Sequence, residues 1–321
     1  MLIPTRRLFL AAPALLLAGH AQAFPDKPLR IVSGFTPGGT NDIVARALAG
    51  PLSTELGQPV VVENRAGAGG GVGAATVARA APDGHSLYLG IVDTQSINPL
   101  TYRRLSYDPV ADFAPVTLVT TIPFAIIIGP AHREIHDIPG LVAAAKAAPG
   151  ALTYASWGVG STPHLAFLRL AKSEGLDMLH VPFTGVPQAI QAMLAGQVDV
   201  MMLGAGNAEA MSRDGNIRTL ASVAPERLEI MPTIPTLREQ GFDLRMGLWQ
   251  ALYVPARTPE PVVAQLNGAA HRAMATRSFI DIMRTQGGKP EPSTPAQLAA
   301  LQRDERAAYE TVVRGLNLVL D

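Results

Sequence analysis

The pattern of hydrophobic and polar positions, after about two dozen residues, alternates between short apolar runs and amphipathic stretches. Apolar runs bounded by Gly, Pro or Asp predict buried strands at Leu29–Gly34, Pro59–Glu63 and Ser86–Val92. In Asn41–Leu56 the apolar residues recur at helical spacing, which predicts a helix with one buried face. Short strands that alternate with helices favour an α/β fold with parallel sheets.

A second series of the same kind begins near Ala151. Its strand-like segments are ALTYAS, MLHVPF, VDVMML and RTLASV, and its helix-like segments are PHLAFLRLAKSEG and PQAIQAMLAGQ. Two long extended stretches, FAPVTLVTTIPFAIIIGP and LRMGLWQALYVP, separate this series from the rest of the chain. We therefore predict two α/β lobes joined by two extended crossings. Residues 24–120 and 250–321 would form the first lobe, and residues 121–249 the second.

The first 23 residues have the pattern of a secretory signal peptide. Two arginines precede an apolar run from Leu8 to Ala18, and the segment ends in Ala21-Gln22-Ala23. The apolar run is too short to span a membrane. We expect cleavage after Ala23 and a periplasmic mature protein. The adjacent Arg6 and Arg7 leave both the general secretory route and the twin-arginine route open.

Composition excludes several classes of function. The 321 residues include 26 Lys+Arg and 26 Asp+Glu, so the formal net charge is zero. The chain therefore lacks the excess of basic residues that is typical of a nucleic-acid binder. There is no cysteine, which excludes disulfides, thiol nucleophiles and thiolate metal sites. We expect no cofactor, no metal and no nucleic acid.

A glycine-rich loop stands between the first predicted strand and the first predicted helix. Gly34–Gly39 has the glycine spacing of a phosphate-binding P-loop, but Thr40 and Asn41 occupy the positions of the required Lys and Ser/Thr. Gly38 would let backbone N–H groups approach a ligand closely. We expect Thr40 or Asn41 to cap the helix with its side chain, and the free N–H groups and the helix dipole then favour a small anion at the loop. A tight turn without a ligand remains the alternative.

The second series repeats this arrangement in Tyr154–His164. There Thr162 is a candidate N-cap and Pro163 suits the first helical position. If the lobes face each other, two helix N-termini converge. Each carries roughly half a positive charge, so together they balance about one negative charge, as a carboxylate would supply.

A dinucleotide site is the rival hypothesis. Gly69–Ala74 fits the G-x-G-x-x-G/A pattern, and Asp93 lies near the spacing of a ribose-binding acid. However, Asn64–Ala68 separates these glycines from the preceding strand. The pair His132 and His136 lacks the order of a zinc protease motif, and no other arrangement predicts catalysis. We therefore expect a binding protein and not an enzyme, with an exported oxidoreductase as the alternative.

The residues from Phe24 onward resemble the Bug family of extracytoplasmic solute receptors, the binding proteins of tripartite tricarboxylate transporters. The matching segments are FPDKPLRIVSGFTPGGTNDIVAR, LGQPVVVENRAGAGGGVGAATVARAAPDGHSLYLG, INPLTYRRLSYDPVADFAPVTLV, PGALTYASWGVGSTPHLA, HVPFTGVPQAIQAMLAGQVDVMM and LNGAAHRAM. This resemblance implies a two-lobed type II periplasmic-binding-protein fold. It also implies a small carboxylate held between two loops, and a membrane permease as partner. A sensor protein in place of the permease stays open, and we expect a monomer.

By motif position, the resemblance implies two ligand-binding loops and two further glycines beside the cleft. The first-loop residues are Phe35, Thr36, Pro37, Gly38, Gly39 and Asp42. The second-loop residues are Ser156, Gly158, Gly160, Ser161, Thr162 and His164, and the cleft glycines are Gly185 and Gly204.

The chain departs from the family pattern after the third strand. The family commonly has small polar residues there, whereas this chain has Asp93 followed by Thr94. As a ligand-binding residue, an ionised Asp93 would repel the second acid of a dicarboxylate and favour a donor at the far end of the ligand, and Thr94 would supply a further neutral hydrogen bond. Alternatively, Asp93 caps the following turn and never meets the ligand.

Overall fold

The computed structural model describes residues 24–244, 246–316 and 318–320. The predicted signal peptide lies outside these residues. The strands are β1 (Leu29–Ser33), β2 (Val60–Asn64), β3 (Ser86–Ile91), β4 (Phe113–Ile128), β5 (Thr153–Ser156), β6 (Leu179–Pro182), β7 (Val200–Gly204), β8 (Arg218–Val223), β9 (Gly247–Pro255) and β10 (Lys289–Pro290).

Helices connect most of these strands, as the alternating pattern predicts. They are α1 (Thr40–Leu56), α2 (Gly71–Ala78), α3 (Asn98–Thr101), α4 (Ile138–Ala147), α5 (Thr162–Glu174), α6 (Val186–Leu194), α7 (Ala205–Ser212), α8 (Glu260–Met274), α9 (Arg277–Thr285) and α10 (Pro295–Leu316). Within the described residues, no helix has the length and hydrophobicity that crossing a membrane requires.

The strands form one continuous curved sheet with the order β2-β1-β3-β9-β4-β7-β5-β6. The pairs β1–β2 and β1–β3 are parallel, and so are β5–β6 and β5–β7. Between these two parallel groups, β9 and β4 run antiparallel to their neighbours. The two predicted extended crossings are therefore β4 and β9.

Strand β4 belongs to both halves of the sheet. Its first part, Phe113–Pro123, pairs with β9, and its last part, Phe124–Ile128, pairs with β7 and β8. This arrangement confirms the two extended crossings. The residue numbers of the lobe boundaries stay a prediction.

The core lies on both faces of the sheet. Neighbouring residues Ile31 and Val32 of β1 are fully buried in different hydrophobic clusters, because side chains alternate along a strand. Helix α1 packs against α8 and α9 through Val44 and Leu48, which lie four residues apart on one face. The helix ends at Gly57, whose φ of 67° suits a left-handed C-cap.

Candidate functional site

The first predicted loop joins β1 to α1, and a buried carboxylate holds its shape. Asp42 accepts hydrogen bonds from Gly38 N at 3.0 Å, Arg46 Nε at 3.0 Å and Asn64 Nδ2 at 3.0 Å. Burial would raise the pKa of Asp42, but the bonds from Arg46, Gly38 and Asn64 and the charge of Arg46 hold it below its usual value. Asp42 is therefore ionised, and its hydrogen bonds stabilise the conformation of the loop.

The N-terminus of α1, or α1 mouth, presents backbone N–H groups as hydrogen-bond donors. Gly39 is the N-cap and provides no side chain, and neither Thr40 N–H nor Asn41 N–H has an acceptor outside the helix among the described residues. The Asn41 side chain bonds below the loop instead, with Ser33 Oγ at 2.6 Å and Gln250 Oε1 at 2.9 Å. The predicted side-chain cap by Thr40 or Asn41 is therefore wrong. These N–H groups without an acceptor and the helix dipole favour an anion here.

Two glycines from the other half of the sheet close over this mouth. They are Gly185, the N-cap of α6, and Gly204, the N-cap of α7. A Cβ atom at Gly185 would overlap Thr36 Oγ1, and one at Gly204 would lie 2.6 Å from Thr40 Oγ1. The loops meet this closely because both positions are glycine, so the two halves are in a closed arrangement.

A cavity of about 30 Å³ remains between the loop and these glycines. That is room for roughly two water molecules. Binding sites for small molecules are usually about 300–1,000 Å³, so a ligand requires the two halves to move apart first. The lining residues are Phe35, Thr36, Gly39, Thr40, Asn41, Ile91, Trp157, Gly185, Val186, Gly204 and Leu248.

The second predicted loop, which joins β5 to α5, bonds mostly to itself. Ser156 Oγ and Ser161 Oγ donate to Gly158 O at 2.8 and 2.6 Å. Gly160 N donates to His164 Nδ1 at 3.0 Å, which makes that nitrogen an acceptor. Many of the hydrogen-bond donors that the sequence predicted for a ligand are therefore already bonded within the loop.

A pair of stacked histidines supports the second loop from below. The rings of His164 and His180 lie 3.9 Å apart between centroids, at an angle of 16°. His180 Nε2 is 2.7 Å from Ser156 Oγ. The pKa of each histidine is lowered to about 4, by burial at His164 and by burial together with the neighbouring His164 at His180. Both rings are thus neutral at neutral pH.

Asp93 follows β3 and reaches into the mouth of α5. Asp93 Oδ1 accepts from Thr162 N at 2.7 Å and from Trp157 Nε1 at 3.2 Å, and Asp93 Oδ2 accepts from Thr162 Oγ1 at 2.7 Å. The residue is 1% exposed. Burial raises the pKa of Asp93, and the three donors oppose that shift. Asp93 caps a helix 69 residues away in the chain and not its own following turn.

The structure brings five predicted site residues to the cavity: Phe35, Thr36, Gly39, Gly185 and Gly204. The others do not line the cavity: Pro37, Gly38, Asp42, Asp93, Thr94, Ser156, Gly158, Gly160, Ser161, Thr162 and His164. Whether any of these residues binds a ligand stays a prediction. Sequence reasoning missed Ile91, Val186 and Leu248 as lining residues, because only the sheet order brings these strand and helix ends together.

Two glycines at variable positions of the rival dinucleotide pattern, within Gly69–Ala74, have a packing role. A Cβ atom at Gly73 would lie 2.7 Å from Gly34 Cα, and one at Gly70 would lie 2.9 Å from the Phe35 ring. These glycines allow α2 and the turn before it to pack against the first loop. Nothing in this arrangement favours a nucleotide.

Other surface features do not compete with this cavity. The described residues include no cluster of His, Asp and Glu that could hold a metal. A larger open groove of about 460 Å³ runs between α10 and the segment before β9, and Arg169, Glu305 and Tyr309 line it. No residue of either predicted loop lines this groove, so the binding hypothesis does not involve it.

Known proteins resemble this chain over nearly its full length. The family model described as "Tripartite tricarboxylate transporter family receptor" matches residues 44–318. Protein BugT of Bordetella pertussis is 30% identical over 309 residues, which cover 96% of this chain and 94% of BugT.

Solved structures show the same fold. The periplasmic binding protein BugD has a TM-score of 0.88 and 30% identity, covering 92% of this chain and 99% of BugD. MatC from Rhodopseudomonas palustris, solved with bound malate, has a TM-score of 0.85 and 35% identity, covering 90% of this chain and 100% of MatC. These likenesses confirm the predicted type II periplasmic-binding-protein fold and the Bug resemblance. The chain therefore belongs to the tripartite tricarboxylate transporter receptor family, whose members are periplasmic solute-binding receptors.

Proposed function

We propose that this receptor captures a small carboxylate at the mouth of α1 and delivers it to a membrane permease of the tripartite tricarboxylate type. The observation that carries the proposal is the pair of backbone donors, Thr40 N–H and Asn41 N–H, opposite Gly185 and Gly204. A carboxylate accepts such bonds and is stabilised by the positive end of the helix dipole. The malate bound in the related MatC supports the same class of ligand.

The proposal includes binding without catalysis, by a monomer. The cavity walls carry Thr and Asn as their polar side chains, together with Phe, Ile, Trp, Val and Leu. None of these side chains is an ordinary general acid or base. We also propose export with cleavage after Ala23, which N-terminal sequencing of the periplasmic protein decides.

A matched pair of substitutions tests the α1 mouth. Thr40 is the first residue of α1, where proline is tolerated because its missing N–H has no partner within the helix. Thr40→Pro removes the side chain and one backbone donor, whereas Thr40→Ala removes the side chain alone. A hydrogen bond to a charged group contributes about 1.5–3 kcal/mol. We expect Thr40→Pro to bind a carboxylate roughly ten- to a hundredfold more weakly than Thr40→Ala.

The measurement is calorimetry with a carboxylate chosen by a thermal-shift screen that also includes NAD, NADP and ATP. A carboxylate at ~100 times its dissociation constant should add about 2.7 kcal/mol to the free energy of unfolding. Equal affinity of the two folded variants would reject the α1 mouth as the anion site. Stabilisation by nucleotides alone would reject the receptor function.

A further inference from the structure

The two helix mouths differ in how many donors they leave for a ligand. At α1, neither Thr40 N–H nor Asn41 N–H has an acceptor outside the helix within the described chain. At α5, Thr162 N–H is bonded to Asp93, Pro163 has no N–H, and His164 N–H is left without an acceptor outside the helix in the described residues. The α5 mouth is therefore already largely occupied by an anion of the protein itself.

The Asp93 carboxyl group binds at the N-terminus of α5 as the carboxylate of a ligand would. Its two oxygens lie 2.7 Å from Thr162 N and Thr162 Oγ1, in the range of hydrogen bonds to a charged group. Trp157 Nε1 provides a third donor, and the Trp157 side chain also lines the cavity. Asp93 thus stands directly behind one wall of the proposed binding site.

The remaining wall is poorly suited to a second charge on the ligand. It consists mainly of the apolar side chains of Phe35, Ile91, Trp157, Val186 and Leu248. A buried carboxylate without donors is costly, and a carboxylate that approaches α5 would also meet Asp93. An apolar segment of a ligand, in contrast, would gain from burial against these side chains.

We infer that Asp93 is an internal carboxylate that occupies the anion position of α5, and that the receptor therefore prefers acids with one carboxylate and an apolar body over dicarboxylates. The inference rests on the proposed function, because it requires the ligand carboxylate to bind at α1. It makes Asp93 a specificity-determining residue that acts by filling a subsite and not by contacting the ligand.

The test compares acids of equal length that differ in one carboxylate: hexanoate with adipate, and butanoate with succinate. Calorimetry gives the ratio of monoacid to diacid affinity for the wild type, Asp93→Ala and Asp93→Asn. Asp93→Ala frees the donors of Thr162, whereas Asp93→Asn keeps an acceptor on Thr162 N–H and serves as the matched control. Circular dichroism checks that each variant is folded.

We expect the wild type to prefer the monoacid of each pair. Asp93→Ala should shift the ratio toward the diacid by roughly ten- to a hundredfold, the value of a hydrogen bond to a charged group, and Asp93→Asn should shift it less. A wild type that prefers the diacids overturns the inference, whatever the variants do. A ratio that is unchanged in folded Asp93→Ala overturns it too. If the wild type binds none of the four acids but is stabilised by nucleotides, the proposed function has failed as well.

Discussion

Two buried carboxylates, Asp42 and Asp93, show how neighbours decide what an acidic side chain does. Asp42 faces the guanidinium of Arg46, which keeps its pKa low despite burial. Asp93 faces neutral donors from Thr162 and Trp157, which do not cancel the cost of burial, so its pKa is raised. The first therefore braces a loop with a permanent charge. The second balances the positive end of a helix.

At the same scale, Gly185 is expected to control closure of the cleft. A Cβ atom at this position would overlap Thr36 Oγ1, so Gly185→Ala forces the two halves apart. Overpacking typically costs about 1–3 kcal/mol. We expect ligand affinity to rise in calorimetry, by at most the roughly five- to 160-fold that this cost corresponds to, because the overlap destabilises the closed arrangement, whose cavity has no room for a ligand.

Gly50→Ala is the control for this substitution. A Cβ atom at Gly50, within α1, would have no heavy atom within 4 Å. This variant should bind the ligand as the wild type does. If Gly185→Ala also binds normally while both proteins melt as the wild type does, the closed contact with Thr36 has no part in binding.

At the scale of elements, the second loop depends on histidines that remain neutral. His164 Nδ1 accepts from Gly160 N, which a protonated ring could not do. The titratable neighbour in the stack is Tyr154, whose pKa is raised to about 12 by burial, so it stays neutral. Acid would charge two rings whose centroids lie 3.9 Å apart and remove one bond of the loop.

This arrangement predicts how stability depends on pH. The unfolded chain protonates its histidines near pH 6.5, whereas folded His164 and His180 do so near pH 4. Between these values the unfolded state binds more protons, so the free energy of unfolding falls as the pH falls. Each histidine contributes up to about 1.4 kcal/mol per pH unit, and the effect is complete below pH 4.

Urea unfolding at pH 7, 6, 5 and 4 measures this slope. His180→Gln keeps a polar partner for Ser156 Oγ but cannot titrate, so its curve should be flatter than that of the wild type by about one proton. Parallel curves for the two proteins would mean that the stacked pair does not titrate as described.

The sequence allowed the elements to be predicted better than their partners. Asn41–Leu56 repeats apolar residues every three or four positions, and α1 begins one residue earlier at Thr40. The local periodicity of apolar residues gives no information about which distant strands pair, so the position of β9 between β3 and β4 was not predictable. The same limit applies to Asp93, since its partner Thr162 lies 69 residues away. The glycines at 38–39 were recognisable because they stand before a predicted helix, whereas Gly185 and Gly204 were predicted only through the family resemblance.

At the scale of the whole molecule, β4 and β9 form the connection on which the halves can move. The last pair between them is Pro123 with Gly247, and Phe124 then pairs with Gly204 and Val223. Proline lacks an N–H for the ladder, and glycine adds no side-chain packing. We expect the hinge between the halves at this point.

Distance measurements between spin labels test the hinge. Because the chain has no cysteine, labels attach only where cysteine is introduced. Val61 in β2 and Leu179 in β6 are exposed and lie on opposite outer strands of the sheet. We expect the distance between labels at Val61→Cys and Leu179→Cys to change when ligand is added.

A pair within one half provides the reference. Val61→Cys and Val72→Cys are both exposed positions in the first half of the sheet and its helices. Their distance should stay constant with ligand. A ligand-dependent change within this reference pair, or none across the halves, would contradict a hinge at Pro123 and Gly247.

The place of β9 between β3 and β4 also bears on how the chain reaches its folded state. Strand β3 is synthesised long before Gly247–Pro255, its neighbour in the sheet. Until that segment emerges, β3 keeps an unpaired edge, which is a site for aggregation. Contacts between such distant segments also form slowly. The nascent chain therefore cannot complete its sheet until its last quarter has been synthesised, and a chain that stops before Gly247 leaves β3 and β4 without their shared neighbour.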